Sequence, residues 1–194
     1  MIRSKLTSLG LGLVLGVLIA ATGAGAGGGG ALGHTYRYDL IQIVQGTFLS
    51  GGSNQATDAT SHDTVTLTGS GQFKPGAGDA TGGGTFVHRH AGGSEVAHGV
   101  WVVTGFVSWQ NLGGSLAGTG LANGIAHNGD ETGGILTLTV RTLPASGSPG
   151  HVGVLEVHCD LPGASSPTEE GVVLKVGPFN FTQSGGFTLI NDLG

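Results

Sequence analysis

The sequence predicts an all-β chain, a single-domain antiparallel β-sandwich or β-barrel of about eight strands after an N-terminal signal peptide. Three observations carry this expectation. Short runs rich in Val, Ile, Leu, Thr and Phe recur between Gly-rich turns, and beyond the leader no stretch keeps a helical apolar period for more than a turn or two. Apolar and polar residues alternate most clearly in ILTLTVRTL, where Leu136, Leu138 and Val140 share one face and Thr137, Thr139 and Arg141 the other. Glycine supplies 41 of 194 residues without a G-X-Y period, so the excess marks turns and loops rather than collagen.

Taken in order, residues 1–26 carry the three parts of a secretory signal peptide. Arg3 and Lys5 form the basic start, residues 9–21 the apolar core, and Ala24-Gly25-Ala26 the small-residue exit. The apolar run is shorter than the ~20 residues of a membrane-spanning helix and is broken by Gly10, Gly12 and Gly16, so cleavage after Ala26 is the expected outcome. Residues 27–33 (GGGGALG) read as a flexible spacer and residues 34–194 as the β-domain. Its strands are expected near residues 36–45, 64–73, 84–90, 96–109, 134–143, 152–160, 171–176 and 187–190, each run rich in β-branched or aromatic residues. Two stretches read as loops. Residues 50–63 are polar and turn-prone, and residues 110–133 exceed the ~12–15 residues usual for an unstructured connection, so that segment is either mobile or covers something.

Composition narrows the function. All twelve acidic residues but only five of the seven Lys and Arg lie beyond Ala26, which makes the expected mature chain more acidic than the formal −5 of the whole. A basic stripe able to displace counterions from nucleic acid or anionic lipid is missing from that balance, so neither is an expected partner and no membrane insertion of the mature chain is expected. The single cysteine, Cys159, allows no internal disulfide and is too far from the leader to be a lipoprotein anchor. In VLEVHCD it alternates in phase with Leu155 and Val157, the position of a buried, inert thiol.

One local cluster has the residue types for chemistry. His88, His90, Glu95 and His98 fall within eleven residues of an expected β-hairpin, and histidines two apart on a strand project from one face toward a common metal ion. If the turn sets His90 opposite Glu95, those two join His88 while His98 points away. If the register shifts by one, His88 faces His98 and Glu95 leaves, because a one-residue slip reverses every side chain. Both registers are open at this level.

Gly82, His88, His90 and Glu95 together resemble the first motif of the cupin family, Gly followed by His-x-His and then Glu. That resemblance implies a β-barrel whose His88, His90 and Glu95 hold a divalent metal such as Zn, Mn or Fe, with His98 or His151 completing the site, in an oxidoreductase or isomerase. The chain departs from the family at Val102, where Gly is expected, and His151 follows Pro149-Gly150 at a different spacing. A second resemblance runs through GGGTFVHR, GVWVVTGFVSW, GGILTLTV, LEVHCDLP and EEGVVLKVGPFNF in order. It is to small secreted all-β bacterial proteins of unknown function, and it implies the fold without assigning any residue a role.

Other signals are weaker. Glu156 and His158 share the face opposite Cys159, with no nucleophile beside them; the sequence has no G-x-S-x-G elbow, no H-E-x-x-H zinc helix and no P-loop. Asn128 to Glu131 and Asp79 read as turn residues. Trp101, Phe106 and Trp109 are either core or a stacking platform for carbohydrate, with Trp101, Val103, Val107 and Trp109 in the same strand phase. The sequence therefore points first to a secreted, extracellular β-domain without catalysis, a binding or structural module that needs no cofactor and meets a carbohydrate or cell-surface partner. The cupin-like metal enzyme is the second reading.

Overall fold

The computed structural model describes residues 33–194; the expected leader, and all of the expected spacer except Gly33, lie outside the described residues. Among them, thirteen strands form one sheet: β1 (Tyr36–Val44), β2 (Thr47–Ser50), β3 (Ser53–Asp58), β4 (Thr64–Thr68), β5 (Ser70–Lys74), β6 (Asp79–Arg89), β7 (Glu95–Gly113), β8 (Ala122–Asn123), β9 (Gly133–Pro144), β10 (Val152–Cys159), β11 (Gly171–Val176), β12 (Phe179–Gly185) and β13 (Phe187–Asp192). Eight of these close a ring in the order β3, β4, β6, β7, β9, β10, β11, β12 and back to β3, every neighbour antiparallel. The architecture is a closed barrel with extra strands, so the barrel and not the sandwich is the outcome. Closure removes the ring's free edges.

The extra strands lengthen the barrel at one end. Beyond Gly69 (φ 147°) β4 continues as β5, and beyond Gly186 (φ 104°) β12 continues as β13. β1 pairs with both β5 and β13, so at this end it holds the place that β3 holds at the other. Between them the chain leaves as the β1–β2 hairpin, whose turn residues Gln45 and Gly46 both have positive φ, the signature of a two-residue type I′ turn. The Gly52 amide then bonds the Leu40 carbonyl and brings the chain back to the ring.

Leu136, Leu138 and Val140 on β9 and Leu155, Val157 and Cys159 on β10 point into the core as their alternation predicts. Burial pushes the Cys159 thiol far up. Two sequence readings are corrected here. The expected loop 50–63 contains β3, a ring strand written SNQATD whose buried side chains are Asn54, Ala56 and Asp58. On β7, register shifts between Val103 and Gly105 and between Phe106 and Ser108 turn Phe106 inward and leave Val107 exposed, whereas unbroken alternation put Val107 on the Trp101 face. Two bulges shift the phase twice, so Trp101 and Trp109 both still point inward. Trp101 is buried, and Trp109 packs on Tyr36 and Phe73 at 5.4 and 5.1 Å, which makes both core residues rather than a sugar platform.

The long segment before β9 covers the lengthened end. Its Leu116 is buried in the core, and its Glu131 is buried among amide donors. At the opposite end the turn from β3 to β4 is fixed by Asp58, whose carboxylate accepts from the Thr60 and Ser61 amides and, across the barrel wall, from the Asn180 amide. Those donors hold its carboxyl down at about 2. A depressed folded-state value means that this contribution is complete above the ordinary value near 4 and fades as pH falls from about 4 to about 2. In urea titrations across that window, Asp58→Asn is expected to show a shallower acid decline than the parent; parallel declines would remove Asp58 as a source of acid sensitivity.

Candidate functional site

The end carrying the β3–β4, β6–β7, β9–β10 and β11–β12 connections opens into a cavity of about 270 Å³. Its walls are contributed by six strands, among them Val65 on β4, Phe86 on β6, Leu174 on β11 and Phe179 and Phe181 on β12. The period-2 pleat places them there. These rings make the cavity aromatic as well as apolar: Phe179 and Phe181 stack with centroids 5.3 Å apart, and the His88 ring stands edge-on to them at 4.7 and 5.4 Å.

Five polar side chains share the lining: His88, Thr142, Ser146, Ser148 and His151. Thr142 is taken up by the backbone of His151, accepting from its amide at 3.0 Å and donating to its carbonyl at 3.3 Å. Ser146 and Ser148 bond each other at 2.9 Å, and His151 is an exposed rim residue. His88 is the deep one, with 12% of its side chain accessible.

Behind His88 stands Asp63, more deeply buried at 8%. One carboxylate oxygen faces His88 Nε2 at 3.1 Å and His90 Nδ1 at 3.3 Å, while the other accepts the Ala91 amide at 3.2 Å. His62, with φ 59° and its amide on the Asp58 carbonyl, turns the chain so that Asp63 aims at this hairpin. Burial works against the Asp63 charge, but the two imidazoles and the Ala91 amide outweigh it and hold the carboxyl below the usual range. A carboxylate is acceptor-only, so the His88 nitrogen facing it carries the proton.

The histidine quartet divides into two pairs. Along most of the β6–β7 hairpin the register is that of His90 opposite Glu95, shown by His88 against Ala97 and Val87 against His98. A register shift between His88 and Arg89 then sets Glu95 opposite Arg89. That bulge turns Glu95 off the His88 face. Glu95 meets His98 Nδ1 at 2.6 Å and Arg89 at 3.6 Å on the exposed side, while His88 and His90 converge on Asp63. The residues present thus do not assemble the His88, His90, Glu95 trio that the cupin resemblance implies, and His151 sits at the rim. Among the described residues no group of three or more His, Cys, Asp or Glu is arranged to hold a metal ion.

Glu156 and His158 bond each other at 3.2 Å on the outer barrel face, where Lys175 and Thr168 also reach them. Reading the sequence missed Asp63, Phe179 and Phe181 as site residues. Asp63 lay in an expected loop, and its partners are 25 and 27 residues further on. The alternation in FNF, flanking a turn at Pro178, was the available signal for β12.

No protein-family model, curated protein or solved structure matches the chain.

Proposed function

We propose that this β-barrel is a secreted, non-catalytic binding module that takes a small, largely apolar molecule into its open end. The single observation behind this reading is the aromatic cavity inside the barrel mouth, bounded by barrel strands and lined by more apolar than polar side chains. Small-molecule sites favour this combination: concave, preformed, mostly apolar, and commonly in the mouth of a barrel. The volume, about 270 Å³, lies near the lower end of such sites and suits a one- or two-ring compound. Secretion rests on residues 1–26, as read from the sequence.

The test fills the cavity. Val176, on the last turn-facing position of β11, lines the mouth and is only partly buried, so Val176→Trp adds an indole there with little disturbance deeper in the barrel. With naphthalene as the probe, titrated by tryptophan quenching or ligand-detected NMR, the parent is expected to bind saturably and Val176→Trp to lose ~10-fold or more in affinity. Val107→Trp, on the exposed outer surface of β7, is expected to bind like the parent. Failure of the parent to bind small aromatic compounds sinks the reading.

A further inference from the structure

Resting on the binding reading above, we propose that the cavity selects aromatic molecules bearing a hydroxyl group, with His88 Nδ1 accepting the hydroxyl proton in a hydrogen bond while the ring packs against Phe179 and Phe181. The class follows from what the cavity leaves unused. Thr142, Ser146 and Ser148 are engaged with the β9–β10 connection, and His151 lies at the rim. His88 is held from behind: its Nε2–H donates to the Asp63 carboxylate at 3.1 Å. In a neutral imidazole with its proton on Nε2, the lone pair is on Nδ1. Among the described residues no donor bonds that nitrogen, while the ring itself lines the cavity.

An acceptor fixed in an apolar wall distinguishes donors from non-donors. A phenolic O–H satisfies Nδ1, whereas an ether or hydrocarbon of similar shape leaves it unpaired and dehydrated. Asp63 is a positioning residue here, since it fixes the tautomer and the ring plane, as a carboxylate behind an imidazole does in other settings. The edge-on contacts with Phe179 and Phe181 at 4.7 and 5.4 Å fix the remaining rotation. The depressed carboxyl of Asp63 keeps this arrangement charged on the carboxylate side under ordinary conditions.

The experiment compares 2-naphthol, 2-methoxynaphthalene and naphthalene on the purified protein and on His88→Phe, which keeps a flat ring in the wall. The parent is expected to bind 2-naphthol about 10-fold more tightly than 2-methoxynaphthalene. His88→Phe is expected to lose that preference and bind the two alike. A second readout needs no variant: nitrogen-15 NMR of the parent is expected to show His88 with its proton on Nε2, and 2-naphthol to shift the Nδ1 resonance. Equal binding of naphthol and its ether by the parent, a preference that survives in His88→Phe, or a proton found on Nδ1 overturns the assignment and leaves the binding reading standing. If the parent binds none of the three compounds, the binding reading itself fails, and the assignment with it.

Discussion

Trp101→Ala is expected to lower the unfolding free energy of the barrel by about 3–5 kcal/mol, the range for removing a large buried aromatic side chain. Against a total stability of roughly 5–15 kcal/mol for a domain of this kind, that is a large fraction. Trp101 is 2% exposed and stands on β7 where the sheet meets the bend between β4 and β5. Its Nε1–H donates to the Thr68 carbonyl at 2.9 Å, and the bend at Gly69 leaves room for the indole: a Cβ built at Gly69 would lie 2.6 Å from the ring. Two terms therefore contribute, apolar contact and one buried hydrogen bond. Trp101→Phe separates them, since it keeps most of the packing and removes the donor, at an expected cost of about 1–3 kcal/mol. The measurement is the urea midpoint with the slope of the transition held as a check on two-state behaviour. An alanine variant within ~1 kcal/mol of the parent would show that the indole does not tie the bend to the ring.

That contact also shows what is legible in the chain and what is not. Strands with one wet face and one buried face declare themselves, as Leu136, Leu138 and Val140 do on β9, because period-2 alternation is a local property. β3 does not, since its inward side chains are Asn54, Ala56 and Asp58, and their burial depends on partners far along the chain: Asn54 donates to the Phe187 carbonyl and Asp58 accepts from Asn180. A strand written in turn residues reads as a turn. Bulges are equally silent. Nothing in WVVTGFVSW marks the two register shifts that exchange Phe106 and Val107, and nothing around His88 marks the shift that carries Glu95 to the other side.

The candidate site was half legible for the same reason. His88 and His90 share a face because they are two residues apart, a fact of strand geometry visible in the sequence. Their common partner is Asp63, contributed by the β3–β4 turn, and the rings that surround His88 come from β12. Barrel closure brings these three regions together, and closure is a property of the whole ring. The apparent metal motif and the observed hydrogen-bonded trio thus differ in one carboxylate, Glu95 against Asp63. That exchange turns two imidazoles from candidate ligands of an ion into groups oriented by a buried anion.

Glu131→Ala is expected to release the segment that covers the opposite end of the barrel while leaving the cavity intact. Residues 114–132 contain only the two-residue β8, so their order depends on contacts outside the ladder. Glu131 supplies them: one carboxylate oxygen accepts the Leu116 amide at 3.1 Å and the Ser115 hydroxyl at 3.2 Å, the other the Gly129 amide at 2.8 Å. Asn123 extends the network, donating to Glu131 at 3.4 Å and to Asn191 of β13 at 2.6 Å, while its carbonyl accepts the Ile125 and Ala126 amides. Burial works against the Glu131 charge, but the amide donors prevail and keep its carboxyl below the ordinary range. The anchoring is accordingly present above the usual carboxylate range near 4.3 and weakens as pH falls below it. In the alanine variant the buried Leu116 amide and Asn123 side chain lose this acceptor, each at a cost of about 1–3 kcal/mol, and opening the segment to water is the less costly alternative. Hydrogen exchange is expected to accelerate by ~100-fold or more at the Leu116 and Gly129 amides, with Leu138 in the barrel wall keeping most of its protection. Glu131→Gln adds a test of charge at constant shape: its NH₂ must face one of these N–H donors, so it is expected to open the segment as well, by a smaller factor. Unchanged exchange at Leu116 in both variants would mean that the buried Leu116 side chain, and not the carboxylate, holds the cover in place. Because the segment and the cavity lie at opposite ends of the barrel, the alanine variant should still bind small aromatic compounds like the parent, which separates the stability of the closed end from recognition at the open one.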